Sequence, residues 1–201
     1  MEFSGSGPKA VVVTVGFIVQ MMEPLELEPR VLEAPDKPWA VRGTRDTRLN
    51  LITSIQLEPD VLEAHVRKLE AKYKQAEQRE ARHELYRAED AEVLLVGYGI
   101  VSRVLRSTVD QARRQGLRAG LFRPVTLWPF PAQALRDAAR RCQSVLVVEM
   151  STGQMVEDVR LTLDGRVPVE FYSRVGGNVP LADEVLARLL APVDSESEWA
   201  V

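Results

Sequence analysis

The chain has 201 residues, 45% of them hydrophobic and 27% charged, with a formal net charge of -3 that comes from interspersed acids and bases. That balance suits a globular protein with a buried core and lacks the basic stripe that a phosphate backbone demands, which argues against nucleic acid as a partner. One cysteine, Cys142, and two histidines, His65 and His83, argue against an internal disulfide, a CxxC redox pair, a cysteine-ligated cluster or a histidine metal centre within this chain.

No apolar run approaches the ~20 residues needed to span a bilayer, and "MEFSGSGPKA" lacks the charged-then-apolar order of a signal peptide. The sequence therefore reads as cytoplasmic. "AVVVTVGFIVQMM", residues 10 to 22, opens with a β-branched run predicted to be a buried strand, with no preceding element in the first nine residues to cover it. Pro24, Pro29, Pro35 and Pro38 then predict a loop-rich connection, so residues 1 to 56 read as the end of one domain and its exit.

Residues 57 to 90 are predicted to hold a long linking helix. Pro59 suits a first helical turn, Asp60 and Glu63 suit its positive end, and Leu62, Val66, Leu69, Tyr73 and Ala76 step by fours and threes along one face. Glu63 to Arg67 and Glu70 to Lys74 add pairs at i,i+4. Beyond Ala76 the stripe fades into "EQREARHELYRAED", which reads either as a solvated helix end or as a surface awaiting a partner.

From residue 91 to 192 strands and helices alternate. The strands are "AEVLLVGYG", "LRAGLFRP", "SVLVVEM" and "VPVEFYSR"; the helices run to Gly116, over "AQALRDAARRC", from Gly153 to about Leu163, and from about Ala182 to Leu190. Short turns between them imply a three-layer α/β domain with a mainly parallel sheet. Residues 193 to 201 are predicted to be a tail.

Several short motifs bear on chemistry. "GYGIVS", residues 97 to 102, starts like a dinucleotide fingerprint, but Ser102 stands at the third glycine position and the next strand ends in Arg123-Pro124 instead of a ribose-binding acid. The alternative is that Gly97 and Gly99 simply permit a tight strand-to-helix turn. "SRVGGN", residues 173 to 178, is either an anion nest or a glycine turn. In "VVEMSTGQMVEDVR", residues 147 to 160, Glu149, Ser151 and Thr152 stand at a strand end, where open sheets place ligands, yet Ser151 and Gln154 also fit a capping box. Cys142 reads as a small, partly buried apolar residue.

Taken together, "RPVTLWPFP", "VVEMSTGQMVEDVR" and "FYSRVGGNVP", with the upstream "GFIVQMMEP", "WAVRGT" and "NLITSIQLEPDVLEAHVRKLEAKY", resemble the carboxy-terminal part of the alpha subunit of 2-oxoacid:ferredoxin oxidoreductases, in wording most like the 2-oxoisovalerate and related 2-oxoacid enzymes. The resemblance covers residues 10 to 180. It implies a transketolase carboxy-terminal-like domain preceded by a remnant of the thiamine pyrimidine-binding domain around Val11 to Val15. Val15 and Val19 depart from the acidic residue and the glycine expected in that stretch.

The family decarboxylates a 2-oxoacid oxidatively on thiamine diphosphate, reduces ferredoxin through iron–sulfur clusters and forms acyl-CoA. The resemblance implies that thiamine diphosphate, magnesium and the clusters belong to a complex with a thiamine-binding beta subunit, a gamma subunit and a ferredoxin-like subunit. It also implies that this chain is a non-catalytic assembly part that binds no cofactor alone. Glu149, Gln154, Glu157, Asp158 and Arg160 are then interface candidates. An idle remnant of a truncated gene and an independent dinucleotide-binding domain are the competing expectations.

Overall fold

The computed structural model describes residues 36 to 50 and 55 to 191. The predicted strand at residues 10 to 22, the remnant around Val11 to Val15 and the tail from 193 lie outside the described residues, while residues 36 to 50 of the expected connection hold turns and no helix or strand.

Helix α1 (Pro59–Glu80) opens with proline in its first turn and Asp60 beside its free N–H groups, as its sequence predicts. Glu63 pairs with Arg67, and Glu70 with Lys74 at 2.8 Å, along its wet side. Among the described residues of α1, Ala76 alone is buried. Near its carboxyl end it meets the α/β unit edge-to-face, Tyr73 against Trp128, with ring centroids 5.6 Å apart.

The chain then departs from the predicted helix. Strand β1 (His83–Tyr86) runs antiparallel to β3 (Ala119–Pro124), pairing His83 with Pro124 and Tyr86 with Leu121. The Arg82 carbonyl accepts the Val125 amide at 2.9 Å, and the Arg82 amide donates to Thr126 Oγ1 at 2.9 Å, so the corner after β3 draws this backbone into the sheet. The linking helix predicted over residues 57 to 90 is thus corrected: it ends at Glu80, and an edge strand follows.

The remaining elements are β2 (Val93–Val96), α2 (Gly99–Arg114), α3 (Ala132–Ala139), β4 (Ser144–Glu149), α4 (Met155–Leu163), β5 (Val169–Ser173) and α5 (Ala182–Leu190). The described residues form a five-stranded sheet in the order β1-β3-β2-β4-β5, parallel except for β1. Alternate residues of each buried strand face opposite layers. Leu94, Val96, Val145 and Val147 pack under α3 and α4, while Leu95, Leu146 and Val148 pack under α2 and α5. The result is the three-layer α/β domain with a mainly parallel sheet that the alternation predicts.

Arg113 ties the connection between β1 and β2 to this frame. Its Nε donates to the Ala119 carbonyl at 2.7 Å, and its terminal nitrogens reach the Arg87 carbonyl at 2.7 Å and Asp90 at 2.6 Å. Among the described residues no helix is long and apolar enough to cross a membrane.

Candidate functional site

The strand order fixes where a crevice opens. From β2 the chain crosses through α2 to β3 on one side, and from β4 it crosses through α4 to β5 on the other. The two connections diverge from neighbouring strands, and in open α/β sheets that divergence leaves a cleft beyond the carboxyl ends. Its walls are the turn Gly97-Tyr98-Gly99 after β2 and the turn that starts at Glu149 on β4.

The first wall is shaped by packing. A Cβ on Gly97 would lie 2.6 Å from Leu105 Cδ1 and 2.9 Å from Val101 Cγ1, so only glycine lets α2 approach the sheet this closely. Gly99 has φ +57°, which completes the turn. Ser102 is buried, and its hydroxyl donates to the Gly99 carbonyl at 2.7 Å. The residue at the third fingerprint position therefore closes the first turn of α2. Arg123, the other residue a dinucleotide could have used, pairs with Glu84 of the edge strand at 2.8 Å.

The second wall answers the ambiguity at residues 147 to 160. Glu149 is 0% exposed. Its Oε2 accepts the Ser151 hydroxyl at 2.8 Å and the Met155 amide at 3.1 Å, and its Oε1 accepts the Val156 amide at 2.9 Å. The carboxyl group thus satisfies two N–H groups that the first turn of α4 leaves without helical partners. The capping box of Ser151 and Gln154 is corrected: α4 begins at Met155, Gln154 precedes it without a side-chain cap, and the cap comes from the strand.

This placement also separates the five interface candidates. Glu149 lies inside the fold and offers no surface to a partner, so it leaves that set. Gln154, Glu157 and Asp158 are exposed on the outer side of α4's first turn, and Arg160 is half-buried one turn on. Burial pushes the Asp158 carboxyl above its ordinary range, and the neighbouring Glu157 and Glu149 add to that shift.

The side chain that the sequence did not single out is Tyr98. It is half-buried in the crevice, where burial pushes its phenol up, the Glu149 carboxylate adds to the rise, and a hydrogen bond with Ser151 opposes it. Its signal was an aromatic ring between two glycines at a strand end. Tyr98, Ser151 and Glu149 form a short polar chain in which Ser151 donates to Glu149 and the phenol oxygen of Tyr98 is left as an acceptor toward the crevice. The negative field of Glu149, together with its hold on the α4 amides, makes this a poor anion site.

Other singled-out groups lie apart. Cys142 Sγ lies 3.4 Å from the Ala91 carbonyl and 3.6 Å from that of Ala138, and burial pushes its thiol up, away from a reactive thiolate. The His83 ring stacks on Phe122 with centroids 5.4 Å apart, and His65 lies on α1. In "SRVGGN" both glycines adopt positive φ in a turn closed by the Asn178 amide on the Val175 carbonyl at 3.3 Å. Beside that turn, Glu184 accepts from the Leu181 amide, the Tyr172 hydroxyl and Arg174, joining β5 to α5. These bonds hold the Glu184 carboxyl below its usual range, the Leu181 amide contributing most.

Comparison with known proteins gives this geometry a lineage. Residues 91–185 match the family model for pyruvate:ferredoxin oxidoreductase core domain II. The chain is 43% identical over 180 residues to ketoisovalerate oxidoreductase subunit VorB of Methanothermobacter marburgensis, an alignment covering 89% of this chain and 51% of that protein. It is 37% identical over 102 residues to 2-oxoglutarate synthase subunit KorA of the same organism, covering 51% of this chain and 27% of that one. The chain therefore spans about half the length of the VorB relatives it matches.

In fold, it is similar to 2-oxoglutarate:ferredoxin oxidoreductase from Magnetococcus marinus, solved with 2-oxoglutarate, coenzyme A and succinyl-CoA bound, at a TM-score of 0.63 and 20% identity over 77% of this chain and 29% of that one. Residues 91–185 thus carry a pyruvate:ferredoxin oxidoreductase core domain II, and over most of its length the chain is similar to a subunit of a 2-oxoacid oxidoreductase, ketoisovalerate oxidoreductase VorB.

Proposed function

We propose that this chain serves as a non-catalytic assembly part of a thiamine-diphosphate-dependent 2-oxoacid:ferredoxin oxidoreductase, a complex that converts a 2-oxoacid to acyl-CoA and reduces ferredoxin. The observation that carries this reading is Glu149. The acid at the carboxyl end of β4 is buried and committed to the start of α4, so the place where such a fold would present a reacting group holds a helix cap.

The metal and cluster cofactors of that complex find no ligand set among the described residues. Among the described residues no three His, Cys, Asp or Glu side chains come together as metal ligands, and Cys142 is a single thiol turned toward backbone carbonyls. Thiamine diphosphate, magnesium and the iron–sulfur clusters are accordingly assigned to partner chains: a thiamine-binding beta subunit, a gamma subunit and a ferredoxin-like subunit, all cytoplasmic. No chemical step is assigned to this chain.

What this chain supplies in that reading is a rigid α/β platform whose α4 start meets the partners. Gln154, Glu157, Asp158 and Arg160 would set register there through hydrogen bonds and ion pairs, which govern specificity and encounter more than raw affinity. The test is charge reversal of Asp158 and Arg160 together, Asp158→Arg with Arg160→Asp, followed by co-purification with the other subunits. Loss of co-purification with a cooperative thermal melt retained is expected. Undiminished assembly would remove this surface from the interface.

A further inference from the structure

Arginines far apart in the sequence converge at the amino ends of the parallel strands, the end away from the crevice. Arg87 follows β1, Arg106 lies midway along α2, and Arg113 and Arg114 stand in its last turn. Arg87, Asp110, Arg113 and Arg114 line a cavity of about 370 Å³. The sheet pairing that sets β1 beside β3 is what brings the edge strand and the helix end together there.

Two contacts shape this cavity. Arg87 takes φ +49°, a region rare for residues with a Cβ, and the Arg113 guanidinium holds its carbonyl there at 2.7 Å. Arg106 lies over the Tyr86 ring, 4.4 Å from its centroid, and the Tyr86 hydroxyl donates to Asp110 Oδ1 at 2.9 Å. Arg106 and Asp110 are one turn apart on the same face of α2.

The acids present do not balance these bases. Asp90 is taken by Arg113, which meets both of its oxygens, at 2.6 and 3.2 Å, and Asp110 lies 3.5 Å from one Arg87 nitrogen. Arg118 and Glu92 pair with each other, and Glu89 lines a separate groove beside α3. Arg106 and Arg114 make no ion pair with any described residue. Four arginines against two aspartates leave two positive charges here, in a chain whose formal net charge is -3. The partial negative charge at the end of α2 offsets about half of one of them.

We propose that this cavity binds a phosphate dianion, free or as the terminal group of a small soluble ester, held by Arg87 and Arg114 with Arg106 adding charge. Guanidinium forks match phosphate oxygens through paired N–H donors. A dianion closes the charge balance, whereas a single carboxylate would leave it open. Arg113 is a positioning residue, because its donors already go to the Ala119 and Arg87 carbonyls and to Asp90.

The site uses this chain's own residues and its test reads no activity, so its failure is separable from that of the oxidoreductase reading. The isotope-labelled full chain is titrated at low ionic strength with methyl phosphate, inorganic phosphate and the monoanion acetate, and backbone amide shifts are followed to about 10 mM ligand. Saturable shifts confined to residues 86 to 90 and 110 to 116 are expected with both phosphates and not with acetate. Tighter binding of inorganic phosphate would mark the free ion as the ligand, and tighter binding of methyl phosphate an ester; either order supports the site.

Arg114→Gln removes an exposed side chain with no ion pair to lose and is expected to weaken binding about tenfold. Arg136→Gln, on α3 at the other face of the sheet, loses the same charge and is expected to leave binding within about twofold. Absence of saturable shifts, equal shifts with acetate, or the same loss in both variants would each overturn the proposal.

Discussion

Glu149 Oε1 accepts the Val156 amide at 2.9 Å, a bond between the last residue of β4 and the first turn of α4, seven positions apart in the chain. With the Met155 and Ser151 bonds to Oε2, it makes one buried carboxyl group the fastener between strand and helix. Glu149→Ala would leave two amides and a hydroxyl without this acceptor, and buried donors left unpaired cost about 1–3 kcal/mol each. Allowing for water reaching Ser151, urea unfolding of Glu149→Ala is expected to show a loss of about 2–4 kcal/mol. A change below about 0.5 kcal/mol, the range of an ordinary surface substitution, would refute the fastener.

Asp158 gives a pH signature of defined sign. Its carboxyl lies above the ordinary range because of burial first and then Glu157 and Glu149. A carboxyl raised in the folded state opposes folding when ionised and has no such effect once protonated in both states. Asp158→Asn is therefore expected to raise the melting temperature at neutral pH. The gain should shrink as pH falls from the raised folded value to the unfolded value near ~3.9. The exposure of Asp158 keeps the effect small. An equal gain at all pH values would assign it to something other than ionisation.

Glu184 has the opposite sign. The Leu181 amide first, then Tyr172 and Arg174, hold its carboxyl low. The stability this represents is present above the unfolded value near ~4.3 and is lost as pH falls through the lowered folded value. Glu184→Gln should be less stable than the unmodified chain at neutral pH and approach it in acid. Parallel melting curves down to the acid limit would contradict the assignment.

At Gly97 the test is steric. An added Cβ would sit 2.6 Å from Leu105 Cδ1, and overpacking of this kind costs about 1–3 kcal/mol. Gly97→Ala is expected to destabilise the domain by that amount in chemical denaturation while leaving any nucleotide titration unchanged. If the loss appeared only as a change in nucleotide affinity, the turn would be a binding loop after all.

Much of this fold was legible because buried parallel strands announce themselves. "VLLV" at residues 93 to 96 and "SVLVVE" at 144 to 149 are continuous apolar runs, as strands covered on both faces should be. The spacing of Val101, Leu105, Thr108, Val109 and Ala112 marks one buried face of α2. Strand β1 was not legible, because "HELY" lies at an edge with three of its four residues exposed, and no alternation of burial reaches the sequence.

The site was legible in place and not in role. The turn after β4 is where the sequence points, but the part Glu149 plays depends on a turn that carries its carboxyl back over residues 155 and 156. Nothing in local spacing encodes that path, whereas Ser151 and Gln154 stand at capping distance and begin no helix. Tyr98 became visible only when the strand order set β2 beside β4.

The central claim, that this chain is an assembly part of a 2-oxoacid:ferredoxin oxidoreductase, is tested most directly by one experiment. The tagged chain is recovered under native conditions from its source cells, its co-purifying chains are identified by mass spectrometry, and the eluate is assayed for 2-oxoacid-dependent viologen reduction. The account predicts thiamine-binding and iron–sulfur subunits in the eluate together with activity. Recovery of the chain without those subunits, and without activity, would contradict it.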